Sequence, residues 1–359
     1  MKMELAKKKW TTHNFIHENG LNILINDLNG TNYFSNINDA TVNKIKDALK
    51  YLYDRKEKFQ SDANSPDENE RDFYYEVKKL VKDGVDVNGR KFPLSLFSNH
   101  FFSPYEASNY TYKVFNKTYK MMPTGMKNLF GDFKNQGISY NAMGLFLYHT
   151  VKAINFYFDD KFISDKVISE LSKACHYLED MNETHHVINK TAIFSNHRNF
   201  ELYANLNKDL FRINSAKEFH KINSLHLGEK QFWEKYDFYM GSINDNYLKN
   251  RSGIDAVKQV CHWIAVNCSC FASGVDSIYS NNTREGLESV NLYLGVDKDK
   301  SVLISKNWER ASWALSNNKD KWKLNIEQTL AMAQISVASY IFVFILFIVE
   351  AEMFNFRKT

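Results

Sequence analysis

The densest group of ionisable side chains lies in CHYLEDMNETHH, residues 175–186. Side chains three, four and seven positions apart share one face of a helix, and five acidic or imidazole side chains follow that spacing here: His176, Glu179, Asp180, Glu183 and His186. Glu183 and His186 form the Glu-x-x-His pattern with which helical bundles hold pairs of metal ions. The pattern therefore indicates candidate metal ligands at His176, Glu179, Glu183 and His186, and the same segment offers candidate catalytic groups at His176, Glu183 and His186.

A solvated polar helix face is the alternative for this segment. Helical di-metal bundles need the half-motif twice, together with two further carboxylates. The sequence offers a second one only in inverted order, as HLGE at residues 226–229.

Two further candidates for catalysis are the adjacent carboxylates Asp159 and Asp160, in FYFDDKFISD at residues 156–165. An aspartate-rich helix in aromatic surroundings resembles the class I terpene synthases, and the resemblance implies that these side chains hold magnesium. The second metal motif of that family is missing, since NDNYLKNRS at 244–252 does not fit it. Carboxylates at a helix end are the simpler interpretation.

Cys270 is the last candidate nucleophile, in NCSCFAS at residues 267–273. The segment resembles the helix that opens with the papain-type cysteine. That family has its general-base histidine downstream, whereas His262 is the last histidine of this sequence. A cysteine on an apolar helix is more often part of a hydrophobic core.

The elements that must position these groups are mainly helical. Residues 38–57 repeat apolar side chains at helical spacing after an Asn/Asp/Thr start. Alternating runs around Asn88-Gly89 and Asn116-Lys117 predict small β-hairpins, and a further hairpin is possible at 290–305. The expected fold class is mainly α (α+β with one or two small β-hairpin elements), with a multi-helix globular domain. The expected organisation is an N-terminal helical segment (1–60), a polar linker (58–72), a small β-containing segment (73–123), a main helical domain (124–320) and an apolar C-terminal helix (329–349).

Residues 329–349 contain no charged side chain and end in YIFVFILFIV. At about 1.5 Å per residue, a helix of this length matches the roughly 30 Å of a bilayer's hydrocarbon. The expected interfacial residues are Lys321, Trp322 and Lys323, and those expected to insert are Phe342, Phe344, Leu346 and Phe347. The alternative is a central core helix or a hydrophobic oligomer interface.

Composition narrows the function classes further. The sequence has 14 glycines in 359 residues and no Gly-rich phosphate-binding loop, so no nucleotide cofactor is expected. The net charge of +4 is spread along the chain, and nucleic-acid binding is unsupported. No apolar stretch follows the basic start, which argues against a cleavable signal peptide.

The sequence therefore favours a membrane-acting helical protein of the effector, toxin or defence type, which inserts or anchors residues 329–349 without covalent chemistry. Its expected partner is a lipid bilayer, with further copies of the chain as a second option, and its bulk is expected on the cytoplasmic side. One alternative is a metal-assisted enzyme with a helical pocket, using a divalent metal at Asp159 and Asp160 or at residues 176–186. Another is a scaffold subunit with the last helix as an oligomer interface.

Overall fold

The computed structural model describes five long stretches of the chain, 11–30, 38–68, 141–187, 197–216 and 319–355. Shorter pieces are described at 85–87, 90–92, 100–102, 111–114, 117–120, 218, 261, 264–265 and 268–269. The hairpin predicted at 290–305 and the candidate nucleophile Cys270 lie outside these residues.

Helices form most of the described chain, which confirms the mainly helical fold class. They are α1 (Thr12–Gly30), α2 (Asp39–Tyr53), α3 (Lys56–Ser61), α4 (Ser65–Glu68), α5 (Ala142–Asp160), α6 (Asp165–Asp180), α7 (Thr184–Val187), α8 (His197–Asn207) and α9 (Lys319–Asn355). Single 3-10 turns follow α3 at Asp62–Asn64 and α8 at Lys208–Phe211.

Four short strands lie between α4 and α5. Strand β1 (Val85–Val87) pairs antiparallel with β2 (Arg90–Phe92), so that Val87 lies opposite Arg90. Strand β3 (Thr111–Val114) pairs antiparallel with β4 (Lys117–Lys120). All four strands fall in the segment 73–123.

Side-chain caps fix the starts of three helices. Asn38 accepts a hydrogen bond from the Thr41 amide at α2, Asn141 from the Gly144 amide at α5, and Ser164 from the Val167 amide at α6. Each cap satisfies one of the amides that the first helical turn leaves without a partner. Helix α5 ends at Lys161, whose φ of 63° stops the helix in the left-handed conformation.

Helix α9 runs through the centre of the described bundle, where it packs against α1, α2 and α6. Residues Asn325–Glu352 are long and apolar enough to cross a membrane, and 94% of their most apolar window is buried in protein. Polar side chains in the middle of α9, such as Gln334 and Ser339, are buried as well. Gln334 donates to the Phe211 carbonyl at 2.9 Å, and the Tyr340 hydroxyl lies 2.8 Å from that of Thr150.

The residues expected to contact a membrane have protein neighbours in this structure. Phe342, Phe344 and Leu346 are buried, and Phe347 lies half-buried beside Phe158. Trp322 packs edge-on against Phe200 of α8. Lys323 is exposed, while the side chain of Lys321 lies outside the described residues.

The described part of the predicted linker, residues 58–68, forms α3, a 3-10 turn and α4 against α6. Phe59 and Ala63 are fully buried there. This short helical stretch brings the backbone of Ala63 and the side chain of Asp67 to the end of α6.

Candidate metal centre

The C-terminal turn of α6 carries the central residues of a buried histidine–carboxylate cluster. His176 and Asp180 lie one turn apart on this helix, and both are almost fully buried. Helix α6 ends at Asp180, and the chain turns before Thr184 opens α7. The turn keeps His186 close to Asp180, with Nδ1 of His186 3.0 Å from Oδ1 of Asp180.

The backbone beside α6 fixes the orientation of the His176 ring. Nδ1 of His176 lies 2.8 Å from the carbonyl oxygen of Ala63, which can only accept, so Nδ1 carries the proton. The other ring nitrogen, Nε2, then presents its lone pair to the cluster. A backbone carbonyl on one imidazole nitrogen is the usual companion of a metal on the other.

Three side chains from distant parts of the chain surround Nε2 of His176. Nδ1 of His100 lies 3.1 Å from it, and Oδ1 of Asp67 lies 3.6 Å from it. The ring of His13, from α1, stacks on that of His176 at 4.1 Å. These side chains form a first ligand group, which contains two overlapping sets of potential ligand atoms. One set is Asp67, His100 and His176, and the other is His13, His176 and Asp180; within each set the atoms lie within 4.8 Å of one another.

A second group of ligands lies on the other side of Asp180. It consists of Glu183, His186 and His197, whose ligand atoms again lie within 4.8 Å of one another. Glu201, one turn after His197 on α8, places Oε1 2.8 Å from Nε2 of His197 and 3.8 Å from Nε2 of His186. Glu201 is half-exposed, so this group opens toward solvent on one side.

Asp180 connects the two groups. Its Oδ2 lies 2.8 Å from Nδ1 of His100 and 3.4 Å from Nε2 of His176, while its Oδ1 faces His186. A carboxylate whose two oxygens face two sets of nitrogen ligands is suited to bridging two cations.

Apart from that of His13, the protonation states suit cation binding. Burial lowers the pKa of His13, but its hydrogen bond to Glu179 and the charges of Glu179, Asp67 and Asp180 raise it to about 10, so a cation would displace a proton there. Burial lowers the pKa of His176 to about 4, so its ring is neutral near pH 7. Burial raises the pKa of Asp180, but the surrounding His176, His100 and His186 hold it well below its usual range. The pKa of Glu183 is likewise lowered by His185 and His197, against the effect of burial.

The residues present fit a metal ion. Nδ1 of His186 is buried, and its 3.0 Å contact with Oδ1 of Asp180 does not have the geometry of a hydrogen bond. Buried ionised carboxylates need a compensating charge, and a cation would supply it at Asp180 and Glu183. Imidazole nitrogens combined with carboxylate oxygens suit zinc and similar first-row divalent metals better than magnesium or calcium.

The structure sorts the residues that the sequence indicated. His176, Asp180, Glu183 and His186 come together, whereas Glu179 turns toward α1 and contacts His13 and His17. Asp160 lies at the end of α5, 4.0 Å from Lys166, and neither it nor Asp159 belongs to these ligand groups.

The sequence analysis missed the residues that come from other elements: His13, Asp67, His100, His197 and Glu201. His197 and Glu201 carry a local signal, because an i, i+4 pair of this kind shares one helix face. The other three have none, since the distances along the chain are large. The packing of α1 and α4 against α6 brings in His13 and Asp67, and the piece at 100–102 brings His100 to His176 and Asp180.

A cavity of about 480 Å³ adjoins the cluster. Its charged and polar lining includes Asp67, Asp180, Glu183 and His186. Apolar side chains from α1, α8 and α9 line it as well: Ile16, Phe200, Leu202, Ile326 and Leu330.

The backbone is similar to two solved structures of clostridial toxins. The alpha-toxin of Clostridium perfringens, from an avian strain, superposes with a TM-score of 0.53 at 18% identity, over 93% of this chain and 63% of the toxin. The alpha-toxin of Clostridium absonum gives 0.51 at 17% identity, over 94% of this chain and 64% of the toxin. At these identities the likeness shows the fold alone, and this chain spans less than two thirds of either toxin.

No protein-family model matches the sequence, and no curated protein is similar to it.

Proposed function

We propose that this protein is a multi-metal hydrolase of phosphate esters, with a membrane phospholipid as its substrate class. The observation that carries the proposal is the position of Asp180 between two groups of histidine and carboxylate ligands. Pairs of divalent metals held in this way are typical of phosphatases and nucleases. A phosphate ester is the substrate whose negative charge such a centre neutralises.

Bound metal ions would supply positive charge to the phosphoryl oxygens and lower the pKa of water. The protein would hold them through His13, His100, His176 and Asp180 on one side and through Glu183, His186, His197 and Glu201 on the other. Asp67 belongs to one ligand set, and its side chain is also half-exposed and lines the cavity. From there its carboxylate would accept a proton from an attacking water molecule.

The lining of the cavity supports an amphiphilic substrate. Charged ligands and apolar side chains of α1, α8 and α9 both line it. A phospholipid would place its phosphate against the charged residues and the start of its acyl chains against the apolar ones.

The proposal is tested with three substrates: phosphatidylcholine vesicles, a single-stranded oligonucleotide and p-nitrophenyl phosphate. We expect the full chain to release phosphocholine from the vesicles. This release should stop after chelation and resume when zinc is added. A zinc-loaded protein that cleaves none of the three would overturn the hydrolase. Cleavage of the oligonucleotide or the monoester alone would keep the hydrolase and reject the lipid as its substrate.

The membrane-inserting helix remains a second candidate function, and the length and composition of Asn325–Glu352 favour it. The same composition is typical of a core helix in a soluble protein, and 94% of the apolar window is covered by the chain's own residues. An oligomer interface would likewise need the apolar surface of α9 that the chain's own residues cover. Insertion would therefore require α9 to leave the bundle, which Val343→Arg tests below.

A further inference from the structure

Glu179 lies on the side of α6 that faces α1, between two histidines. Its Oε2 lies 2.5 Å from Nδ1 of His13, and its Oε1 lies 2.9 Å from Nε2 of His17. His13 and His17 are one turn apart on α1, so both can reach one carboxylate. Glu179 and His17 are buried almost completely.

The two histidines differ in what their second ring nitrogen faces. Nε2 of His13 points toward the cluster, 3.9 Å from Oδ2 of Asp67, and the ring stacks on His176. Nδ1 of His17 faces the protein interior, 3.4 Å from the Phe59 carbonyl oxygen and 3.4 Å from the Ser172 hydroxyl. The His17 ring also stacks on that of Phe59.

This arrangement gives the three side chains separate parts. His17 packs against α3 and α6, and its Nε2 lies 2.9 Å from one oxygen of Glu179, a close contact without regular hydrogen-bond geometry. The other oxygen accepts from Nδ1 of His13, so Nε2 is the nitrogen that faces the ligand group, and a metal would take the place of its proton. Carboxylates that bind a metal-ligating histidine in this way orient its ring and increase its basicity.

We propose that Glu179 is a positioning residue, anchored by His17, that orients His13 as a ligand for one cation of the cluster. The inference rests on the proposed function, since it assumes that the cluster holds metal. It changes the part that the sequence suggested for Glu179, from a metal ligand to a support for His13. Two observations support this role: Glu179 contacts both histidines of α1, and it belongs to none of the three sets of potential ligand atoms.

The test compares Glu179→Gln with a matched control, Glu170→Gln. Glu170 lies on the same helix and also pairs with a buried histidine, with Oε2 2.6 Å from Nδ1 of His149, but it belongs to none of the ligand groups. The full-length chains are stripped of metal and titrated with zinc, and bound ions are counted by mass spectrometry. Cobalt(II) absorption then reports the ligands around the ion.

We expect Glu179→Gln to weaken the binding of one ion per chain by about 10- to 100-fold and to change the cobalt spectrum. The remaining sites should bind as before, and Glu170→Gln should match the wild type. In a His13→Ala background, Glu179→Gln should have little further effect, because its target is already gone.

A folded Glu179→Gln chain with wild-type affinities and spectrum would overturn the inference, and so would an equal loss in Glu170→Gln. If Glu179→Gln does not fold, His17→Leu carries the same test, since it removes the anchor and keeps the carboxylate. Full zinc affinity in that variant also overturns it. A wild-type chain that binds no zinc shows instead that the proposed function is wrong.

Discussion

At the scale of single residues, Asp180 is the side chain on which the proposed centre depends most. It lies within 3.4 Å of His100, His176 and His186. We expect Asp180→Asn to remove the charge that both ligand groups share and to lower zinc affinity and hydrolysis by about 100-fold or more. Asp160→Asn is the control, since that carboxylate lies by Lys166. Zinc binding that survives Asp180→Asn would contradict a bridging part.

A second residue-scale prediction concerns pH and the buried pair of Glu170 and His149. Burial raises the pKa of Glu170, but the hydrogen bond with His149 and the charges of Lys173 and Lys152 lower it to about 2 from 4.5. A lowered carboxyl pKa stabilises the fold fully above the unfolded value and loses that effect as the pH falls.

The difference in free energy of unfolding between wild type and Glu170→Gln should therefore be constant above about pH 5. It should shrink as the pH falls from 4.5 toward 2. Urea unfolding between pH 2 and pH 7 measures it. A difference that does not change over this interval would show that Glu170 is not ionised in the folded state at low pH.

The candidate site could be predicted from the sequence only where its ligands lie close together in the chain. The spacing of residues 176–186 indicated His176, Glu183 and His186 as candidate ligands, and the structure brings these three together. It placed Asp180 on the same helix face without naming it as a ligand, and it named Glu179, which belongs to none of the ligand sets. His13, Asp67 and His100 reach His176 through tertiary packing, which periodicity within one helix does not report. Asp159 and Asp160 were candidates because two adjacent carboxylates follow an aromatic-rich run. The structure places them at the end of α5, outside the cluster.

At the scale of elements, the contact between α1 and α9 leaves no space for a side chain at Gly20. A Cβ atom there would lie 2.7 Å from Cγ1 of Val337. We expect overpacking by Gly20→Ala to cost about 1–3 kcal/mol of folding free energy. The higher helix propensity of alanine offsets roughly 1 kcal/mol of this cost, so the substitution should be destabilising on balance. Thermal or urea unfolding measures the change.

The double variant is the control for this contact. Val337→Ala removes Cγ1, so Gly20→Ala should cost less in that background than in wild type. An equal cost in both backgrounds would show that the helices do not approach closely at this point.

Local signals predicted some helix boundaries well. The Asn/Asp/Thr start before residue 42 indicated a helix, and Asn38 caps α2 in the structure. The polar composition of 58–72 indicated a linker, yet its described part is helical and buries Phe59. A single buried aromatic side chain can determine how such a segment packs. The overall composition of the segment does not reveal this, because most of its residues are polar.

At the scale of the whole molecule, the question is whether α9 belongs to the core or to a membrane. Val343 is 2% exposed within the bundle. As a core residue, Val343→Arg should destabilise the fold by about 3 kcal/mol or more, since it buries a charge without a partner. Circular dichroism on heating, without detergent, measures this. Lys323→Gln is the control on an exposed position of the same helix.

A membrane anchor predicts the opposite result for Val343→Arg. The remaining helices would then keep their thermal stability, and the variant would lose only its recovery with membranes after carbonate extraction. Composition could not distinguish these outcomes, because a central core helix and a spanning helix are both apolar on every side.

The measurement that tests the account most directly is the metal content of the full chain under native conditions. After equilibration with zinc and removal of the excess, mass spectrometry should find at least two ions per chain. The Asp180→Asn variant should retain fewer. A folded wild-type chain that carries no zinc under these conditions would contradict the metal centre and the hydrolase built on it.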